Sequence, residues 1–260
     1  MTRNSPGRPV LVWSNARVSI LSEIWSRATE QLPAPDQSVV WVTAAVALAI
    51  VCFRPTWRLS RHVVTIAHEG AHAVAALVTG RRLSGIRLHS DTSGLTLSYG
   101  KPRGFGMILT ALAGYVGPGL VGLGAAFMLR QGYGVGLLWL LILVLALMLL
   151  QIRNWFGLLS ILVSAVVLVG VSWYASTEWQ LAVAYLVTWF LLIGAPRPVL
   201  ELQAQRRRGK ARTSDADMLS GLTPFPGLFW VGVFLVVTVG ALVLGSWWIG
   251  LWSIETLPRF

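Results

Sequence analysis

The sequence predicts an all-α polytopic membrane protein with about seven transmembrane helices and a small cytoplasmic β-hairpin. Of its 260 residues, 55% are hydrophobic and only 12% are charged, with a mean hydropathy of +0.67. This composition excludes an ordinary soluble domain. The apolar residues gather in seven segments, each near the length that a tilted helix needs to cross a bilayer. Lys and Arg residues gather between those segments, as they do in the loops of membrane proteins.

Residues 1–37 come before the first apolar segment and are predicted to form a cytoplasmic N-terminal segment. They carry four Arg residues without a sustained apolar core, so no cleavable signal peptide is expected. From Ile20 to Leu32, apolar residues recur at helical spacing among polar ones. This pattern predicts a short amphipathic helix on the membrane surface, ended by Pro33 and Pro35.

Residues 38–251 form the predicted membrane-embedded domain, and residues 252–260 form a short C-terminal tail. The predicted spans are residues 38–53, 62–80, 104–129, 133–151, 155–175, 179–195 and 227–251. With the N-terminus inside, the cytoplasmic segments, which include the loop 196–226, hold 4, 5, 1 and 6 Lys or Arg residues, 16 altogether, against 5 outside. The charge distribution therefore favours an N-inside, C-outside multi-pass protein, with the lipid bilayer as its surroundings.

The second predicted span carries the sequence His68-Glu69-Gly70-Ala71-His72. On a helix, the two histidines project from one face and can hold one Zn²⁺, while Glu69 stands beside the metal to take a proton from its bound water. Three ionisable side chains in one apolar segment are costly, so a functional site is expected. The pattern is typical of metal-assisted peptide hydrolysis. His62 and His89 lack ligand spacing to this motif and are expected to be surface histidines.

A β-hairpin is predicted at residues 82–99, between the second and third spans. Residues 85–89 and 94–99 alternate apolar and polar side chains on either side of a Ser90-Asp91-Thr92-Ser93 turn. The span that follows is rich in glycine, which permits helices to pack closely. Its glycines include Gly114, Gly117, Gly119, Gly122 and Gly124.

A catalytic zinc normally has three protein ligands, so the histidine pair needs a third. Cys52 is the only cysteine, which leaves His, Asp or Glu. Among the acidic residues besides Glu69, three lie in the N-terminal surface segment (Glu23, Glu30 and Asp36), one in the hairpin turn (Asp91) and two on the predicted outer side (Glu178 and Glu255). This leaves Glu201, Asp215 and Asp217 on the predicted inner side. Ser214-Asp215-Ala216-Asp217 also predicts a helix start, where Ser and Asp are favoured for capping alone. We expect one of the two aspartates to be the ligand, Asp215 as the first choice and Asp217 as the reserve.

The chain resembles the site-2 protease family of intramembrane zinc metalloproteases, in particular a short bacterial branch without PDZ domains. The resemblance lies in the motif at residues 68–72, the hairpin that follows it, Gly114-Tyr115-Val116-Gly117-Pro118, Arg153-Asn154-Trp155-Phe156-Gly157 and Ser214-Asp215-Ala216-Asp217. It implies a zinc cofactor, a transmembrane protein as substrate and a role for Asn154 in orienting the substrate backbone. Typical members take their third ligand from a Leu-Asp-Gly sequence that this chain lacks, so a different helix is expected to supply it.

Two other functions remain open at the level of sequence. The missing Leu-Asp-Gly is compatible with a non-proteolytic, zinc-binding membrane scaffold or chaperone. A metal transporter is less favoured, because a conducting path needs polar groups on several spans and here they concentrate on one. The basic run from Arg206 to Arg212 is typical of a cytoplasmic topology signal that binds anionic lipid, and no nucleic-acid partner is expected because no recognition fold accompanies it.

Overall fold

A computed structural model describes residues 12–209 and 214–251 of the chain. Within these residues the protein is mostly helical, with one small antiparallel sheet. The elements are α1 (Val12–Thr29), α2 (Gln37–Cys52), α3 (Arg54–Val78), β1 (Arg82–Leu88), β2 (Gly94–Tyr99), α4 (Phe105–Arg130), α5 (Gly134–Leu149), α6 (Trp155–Tyr174), α7 (Thr177–Gly194), α8 (Pro196–Arg207), α9 (Asp215–Leu222) and α10 (Gly227–Trp248). The predicted tail 252–260 lies outside the described residues, as do residues 210–213, which include the last part of the basic run.

Each of the seven predicted apolar segments is helical, but the predicted count of seven spans is not confirmed. Four helical stretches of the described chain are long and apolar enough to cross a membrane: α4, α6, α7 continued by α8, and α10. Helices α2 and α3 pass the same test only together, and α5 has 16 residues, or about 24 Å at 1.5 Å per residue. The described chain therefore has four candidate spans, or five when α2 and α3 are counted as one.

Helices α2 and α3, which the sequence predicts as two separate spans, meet at a sharp bend. The two helices are separated by a single residue, Phe53, whose backbone is extended (φ −78°, ψ 122°), and they are bent by 102°. Pro55 lies in the first turn of α3, a position that proline tolerates because the amide it lacks would have no partner there.

Hydrogen bonds at one end of the helical bundle show which segments lie on the same side of it. Leu32 N donates to Gly132 O at 2.9 Å, and Gln37 Nε2 donates to Gly250 O at 2.8 Å. Residues 31–37, the α4–α5 turn and the end of α10 therefore lie together. The seven-span prediction places residues 31–37 inside and the other two segments outside. These placements are not compatible with the two hydrogen bonds, which join the segments directly. Counting α2 and α3 as one unit puts all three segments on one side.

Helix α4 lies at the centre of the molecule and packs against α3, α7 and α10. Its glycines allow this close packing, as predicted. A Cβ on Gly117 would overlap Ala71 on α3, and one on Gly122 would lie 3.1 Å from Leu192 on α7. Gly124 is different, because a Cβ there would meet nothing within 4 Å.

The structure contains the predicted hairpin, and it packs along α3. Ser93 donates to Asp91 Oδ1 from its backbone N at 3.0 Å and from its hydroxyl at 2.6 Å. These hydrogen bonds hold the pKa of Asp91 below its usual value. At the same turn, Thr65 Oγ1 on α3 donates to Thr92 O at 3.0 Å, so the tip of the hairpin is fixed to the helix that carries the two histidines.

The far edge of β1 is also occupied. Ile86 N donates to Gln151 O at 2.8 Å, and Arg153 N donates to Ile86 O at 2.9 Å. The segment between α5 and α6 thus adds a short bridge beside β1, opposite β2. The hairpin is held on two sides, by α3 and by the start of α6.

Candidate metal centre

The two motif histidines lie one turn apart on α3, and their side chains meet. His68 Nε2 and His72 Nε2 are 3.1 Å apart. Four residues on a helix return to the same face, so the local sequence alone accounts for this pair.

The third member of the site comes from the other end of the sequence. Asp215, the first residue of α9, places Oδ2 at 3.4 Å from His68 Nε2 and at 3.3 Å from His72 Nε2. Within residues 12–209 and 214–251, these three form the one group of His, Cys, Asp or Glu side chains that can converge on a metal ion. Asp215, the first choice from sequence, is thus the aspartate that faces the histidines.

The three ligand atoms have the spacing that tetrahedral zinc requires. With bonds of about 2.0 Å, neighbouring ligand atoms of a tetrahedral site lie about 3.3 Å apart. The three observed separations are 3.1, 3.3 and 3.4 Å. Two imidazoles and one carboxylate also match the donor set of catalytic zinc sites, which leave a fourth position for water or substrate. The residues therefore fit a zinc ion.

Helix α4 fixes the orientation of His72. Its Nδ1 lies 2.6 Å from Thr110 O, and since a carbonyl oxygen can only accept, Nδ1 carries the proton. The lone pair on Nε2 is then free to bind a metal, an arrangement common behind metal-ligating histidines. No pattern in the sequence indicates this contact, because it uses a backbone carbonyl.

Gly114 has a more specific role than the general packing predicted for it. A Cβ at this position would lie 2.7 Å from His68 Nε2 and would also overlap the ring of His72. The absence of a side chain therefore makes room for both imidazoles. The next residue, Tyr115, meets the His68 ring edge to face at 4.9 Å and stacks on Phe234 of α10 at 5.0 Å.

Glu69 is covered by the hairpin. Its side chain is buried, with 4% of the residue exposed, and Oε2 accepts a hydrogen bond from Thr96 Oγ1 at 2.7 Å. Gly94 packs directly against the same carboxylate, where any side chain would overlap it. Thr96 was not predicted from the sequence; strand alternation, which puts residues 94 and 96 on one face, is the signal that could have found it.

Asp217, the reserve ligand, is engaged elsewhere. It forms a capping box with Ser214 at the start of α9 and an ion pair with Arg206 on α8. Burial acts to raise the pKa of Asp217, but the hydrogen bonds from Ser214 and Arg206 outweigh it and lower that pKa below its usual value.

Asn154, the residue assigned to substrate by resemblance, binds the hairpin. Its Oδ1 accepts from Leu88 N at 3.2 Å, and its Nδ2 donates to Leu88 O at 2.6 Å.

The two surface histidines lie apart from the metal group. His62 packs its ring 5.3 Å from Phe156, and His89 lies in the hairpin turn.

Glu201 belongs to a separate charged cluster between α3 and α8. Its carboxylate accepts from Trp57 Nε1 at 2.9 Å and pairs with Arg197 at 3.2 Å and Arg61 at 3.3 Å. Both guanidinium groups also lie over the Trp57 ring. Every described contact of Glu201 thus joins α8 to itself or to α3, and none reaches the histidines.

Comparison with known proteins supports the resemblance drawn from the motifs. The model of one family, described as Peptidase M50B-like, matches residues 41–245. No curated protein and no solved structure matches the chain. The matched region contains the motif helix, the hairpin, the glycine-rich helix and Asp215. Since the model spans most of the sequence, the chain belongs to the Peptidase M50B-like family, which is the site-2 protease family.

Proposed function

We propose that the protein is an intramembrane zinc metalloprotease that hydrolyses peptide bonds of membrane-spanning substrates at the plasma membrane of a bacterium. The observation that carries the proposal is the convergence of Asp215 on His68 and His72 at tetrahedral spacing, beside a buried glutamate. Family membership supports the same activity.

In this mechanism, His68, His72 and Asp215 would hold a zinc ion. That ion would lower the pKa of a water towards neutrality and polarise a substrate carbonyl. Glu69 would accept a proton as the water oxygen adds to the carbonyl carbon and would pass it to the amine nitrogen as the C–N bond breaks. Thr96 holds the Glu69 carboxylate in place through its hydroxyl, and the Thr110 carbonyl keeps His72 in the tautomer that can ligate.

The hairpin offers a place for the substrate. A helical peptide hides its carbonyls, so the scissile segment must unwind, and an extended segment can bind by adding to the edge of a sheet. In the described part of the chain, no backbone hydrogen bond joins β2 to any segment but β1. Its polar face covers Glu69, and Leu95, Leu97 and Tyr99 are exposed on the other face. Asn154 then assists substrate binding indirectly, by fixing β1 through Leu88.

The proposal is tested by metal content and by one substitution. The purified wild-type protein is expected to contain one zinc per chain and to cleave a single-span reporter whose membrane segment is broken by Gly-Pro. Glu69→Gln is expected to keep the zinc and lose cleavage, because the amide cannot accept the proton. Wild-type protein without zinc would contradict the proposal.

A second candidate function is a zinc-binding scaffold or chaperone without proteolysis. The observation in its favour is the missing Leu-Asp-Gly, since the third ligand here comes from the short helix α9. The same experiment separates the two functions: stoichiometric zinc without cleavage of any membrane reporter supports the scaffold.

A further inference from the structure

Asp215 lies in the first turn of a helix that is too short to be stable without tertiary contacts. The residue begins a helix of 8 residues, and helices shorter than about 12 residues are not stable on their own. Two side chains of α9, Ala216 and Leu219, are fully buried in an apolar cluster with residues of α4, α8 and α10. These contacts anchor the body of the helix. Its first turn, which carries the ligand, needs further contacts.

Arg206 supplies such contacts on both sides of Asp215. Its guanidinium pairs with Asp217, two residues after the ligand, and Nη1 lies 3.4 Å from the hydroxyl of Ser214, the residue before it. Ser214 and Asp217 are in turn joined by the capping box. Arg206, a single side chain from α8, therefore contacts the residues on both sides of Asp215 in the first turn of α9.

Arg206 is itself held in place. A Cβ on Gly227, the first residue of α10, would lie 2.9 Å from Arg206 Cζ, so the start of α10 packs directly on the guanidinium. The side chain keeps only 21% of its surface exposed. Its neighbour Arg207 is exposed to solvent and has no described ion pair. The two residues thus offer the same charge in different surroundings.

Helix α8 is also tied to the helix that carries the histidines. Five residues before Arg206, Glu201 pairs with Arg61 at 3.3 Å and accepts from Trp57 at 2.9 Å, both on α3. Arg61 precedes His68 by two helical turns. One helix thus contacts both helices that supply metal ligands, through Glu201 on one side and Arg206 on the other.

We propose that Arg206 is a positioning residue for the metal centre, which holds the first turn of α9 so that Asp215 reaches the ion bound by His68 and His72. Helix α8 then connects α3, which carries the two histidines, to α9, which carries Asp215. The inference rests on the proposed zinc site. It adds a residue that touches neither metal nor substrate and acts through Asp215.

The test compares the zinc dissociation constants of two variants in detergent-solubilised full-length protein, measured by competition with a chromophoric chelator. Arg206→Met is expected to weaken zinc binding about tenfold, the low end of what partners behind a metal ligand contribute. Arg207→Met, which removes the same charge from the same turn, is expected to leave it unchanged. Equal affinities in the two variants overturn the inference. If Arg206→Met does not fold, Arg206→Lys is compared with Arg207→Lys instead. Lysine keeps the charge but lacks the planar guanidinium group that contacts two partners at once.

A double-mutant cycle separates positioning from general stability. In an Asp215→Ala background, Arg206→Met is expected to have no further effect on the residual zinc affinity, because its route to the metal has been removed. A further loss of the same factor in that background means that Arg206 acts on the whole fold and overturns the inference. Wild-type protein that binds no zinc overturns the proposed function and this inference with it, whereas zinc-binding wild type with an unaffected Arg206→Met overturns the inference alone.

Discussion

Helices α3 and α9 contribute to the proposed metal centre in different ways. Helix α3 has 25 residues, carries two ligands one turn apart and packs closely along α4 and the hairpin. Helix α9 has 8 residues, carries one ligand at its first position and depends on Arg206 and on two buried side chains. The histidine pair is therefore set by local sequence and helix geometry, while the third ligand is set by tertiary contacts. The two halves of the site should respond differently to mutation.

Residues 31–37 and the end of α8 are expected to lie on opposite sides of the membrane. In a Cys52→Ser background, a cysteine at Ala34 is expected to react with an impermeant maleimide added outside intact cells. A cysteine at Arg207 is expected to react only after lysis, because the basic loops mark the inner side. The effect is all or none. Ala34→Cys labelled only after lysis would restore the seven-span arrangement and contradict the contact between Leu32 and Gly132.

Removing a ligand tests whether both helices contribute to metal binding. His68→Ala, His72→Ala and Asp215→Ala are each expected to weaken zinc binding by more than about 100-fold, the most that a partner behind a ligand contributes. Asp217→Ala removes a cap and an ion pair and is expected to cost tenfold or less. The measurement is zinc per mole of purified, folded protein at limiting free zinc. A larger effect for Asp217 than for Asp215 would exchange their roles.

Much of this architecture followed from the sequence, and the failures have physical causes. The helical segments, the hairpin and the histidine pair depend on local periodicity, which the sequence displays. The count of seven spans is not confirmed at Phe53, because the direction in which α3 leaves α2 is set by packing that apolar length does not report. Asp215 and Asp217 could be nominated because they lie on the predicted inner side, but the ion pair that engages Asp217 with Arg206 is tertiary and has no pattern in the sequence. Thr110 was not predictable, because it acts through its carbonyl.

The α3 half of the site depends on the missing side chain at Gly114. Alanine normally favours a helix over glycine by about 1 kcal/mol, so Gly124→Ala, where a Cβ meets nothing within 4 Å, is expected to raise the thermal-unfolding midpoint and leave zinc binding unchanged. Gly114→Ala is expected to weaken zinc binding at least tenfold despite the same gain in propensity, because its Cβ would overlap both imidazoles. Equal behaviour of the two variants would show that the close approach of α4 is not needed for metal binding.

The smallest expected effect on zinc binding concerns Glu69, which belongs to α3 but is held by the hairpin. Thr96→Val keeps the shape of the side chain and removes the hydroxyl that donates to the Glu69 carboxylate at 2.7 Å. A hydrogen bond to a charged group contributes about 1.5–3 kcal/mol, so the thermal-unfolding midpoint of the zinc-loaded protein is expected to fall. Thr96→Ser, which retains the hydroxyl, should restore most of it. Zinc content should stay unchanged in both variants, because Thr96 contacts no ligand.

A cycle with Glu69→Ala makes that prediction specific. If the loss in Thr96→Val arises from a buried carboxylate left without its donor, it should nearly vanish once the carboxylate is gone, and the two substitutions should not be additive. Additive losses would mean that Thr96 supports the hairpin in general. Residues in contact usually show coupling of about 0.5–3 kcal/mol, so the cycle can detect this interaction. Coupling would show that α3 also depends on a distant segment, since β2 fixes its proton acceptor as α8 fixes the third ligand on α9. The contrast between the two helices would then apply to the histidines alone.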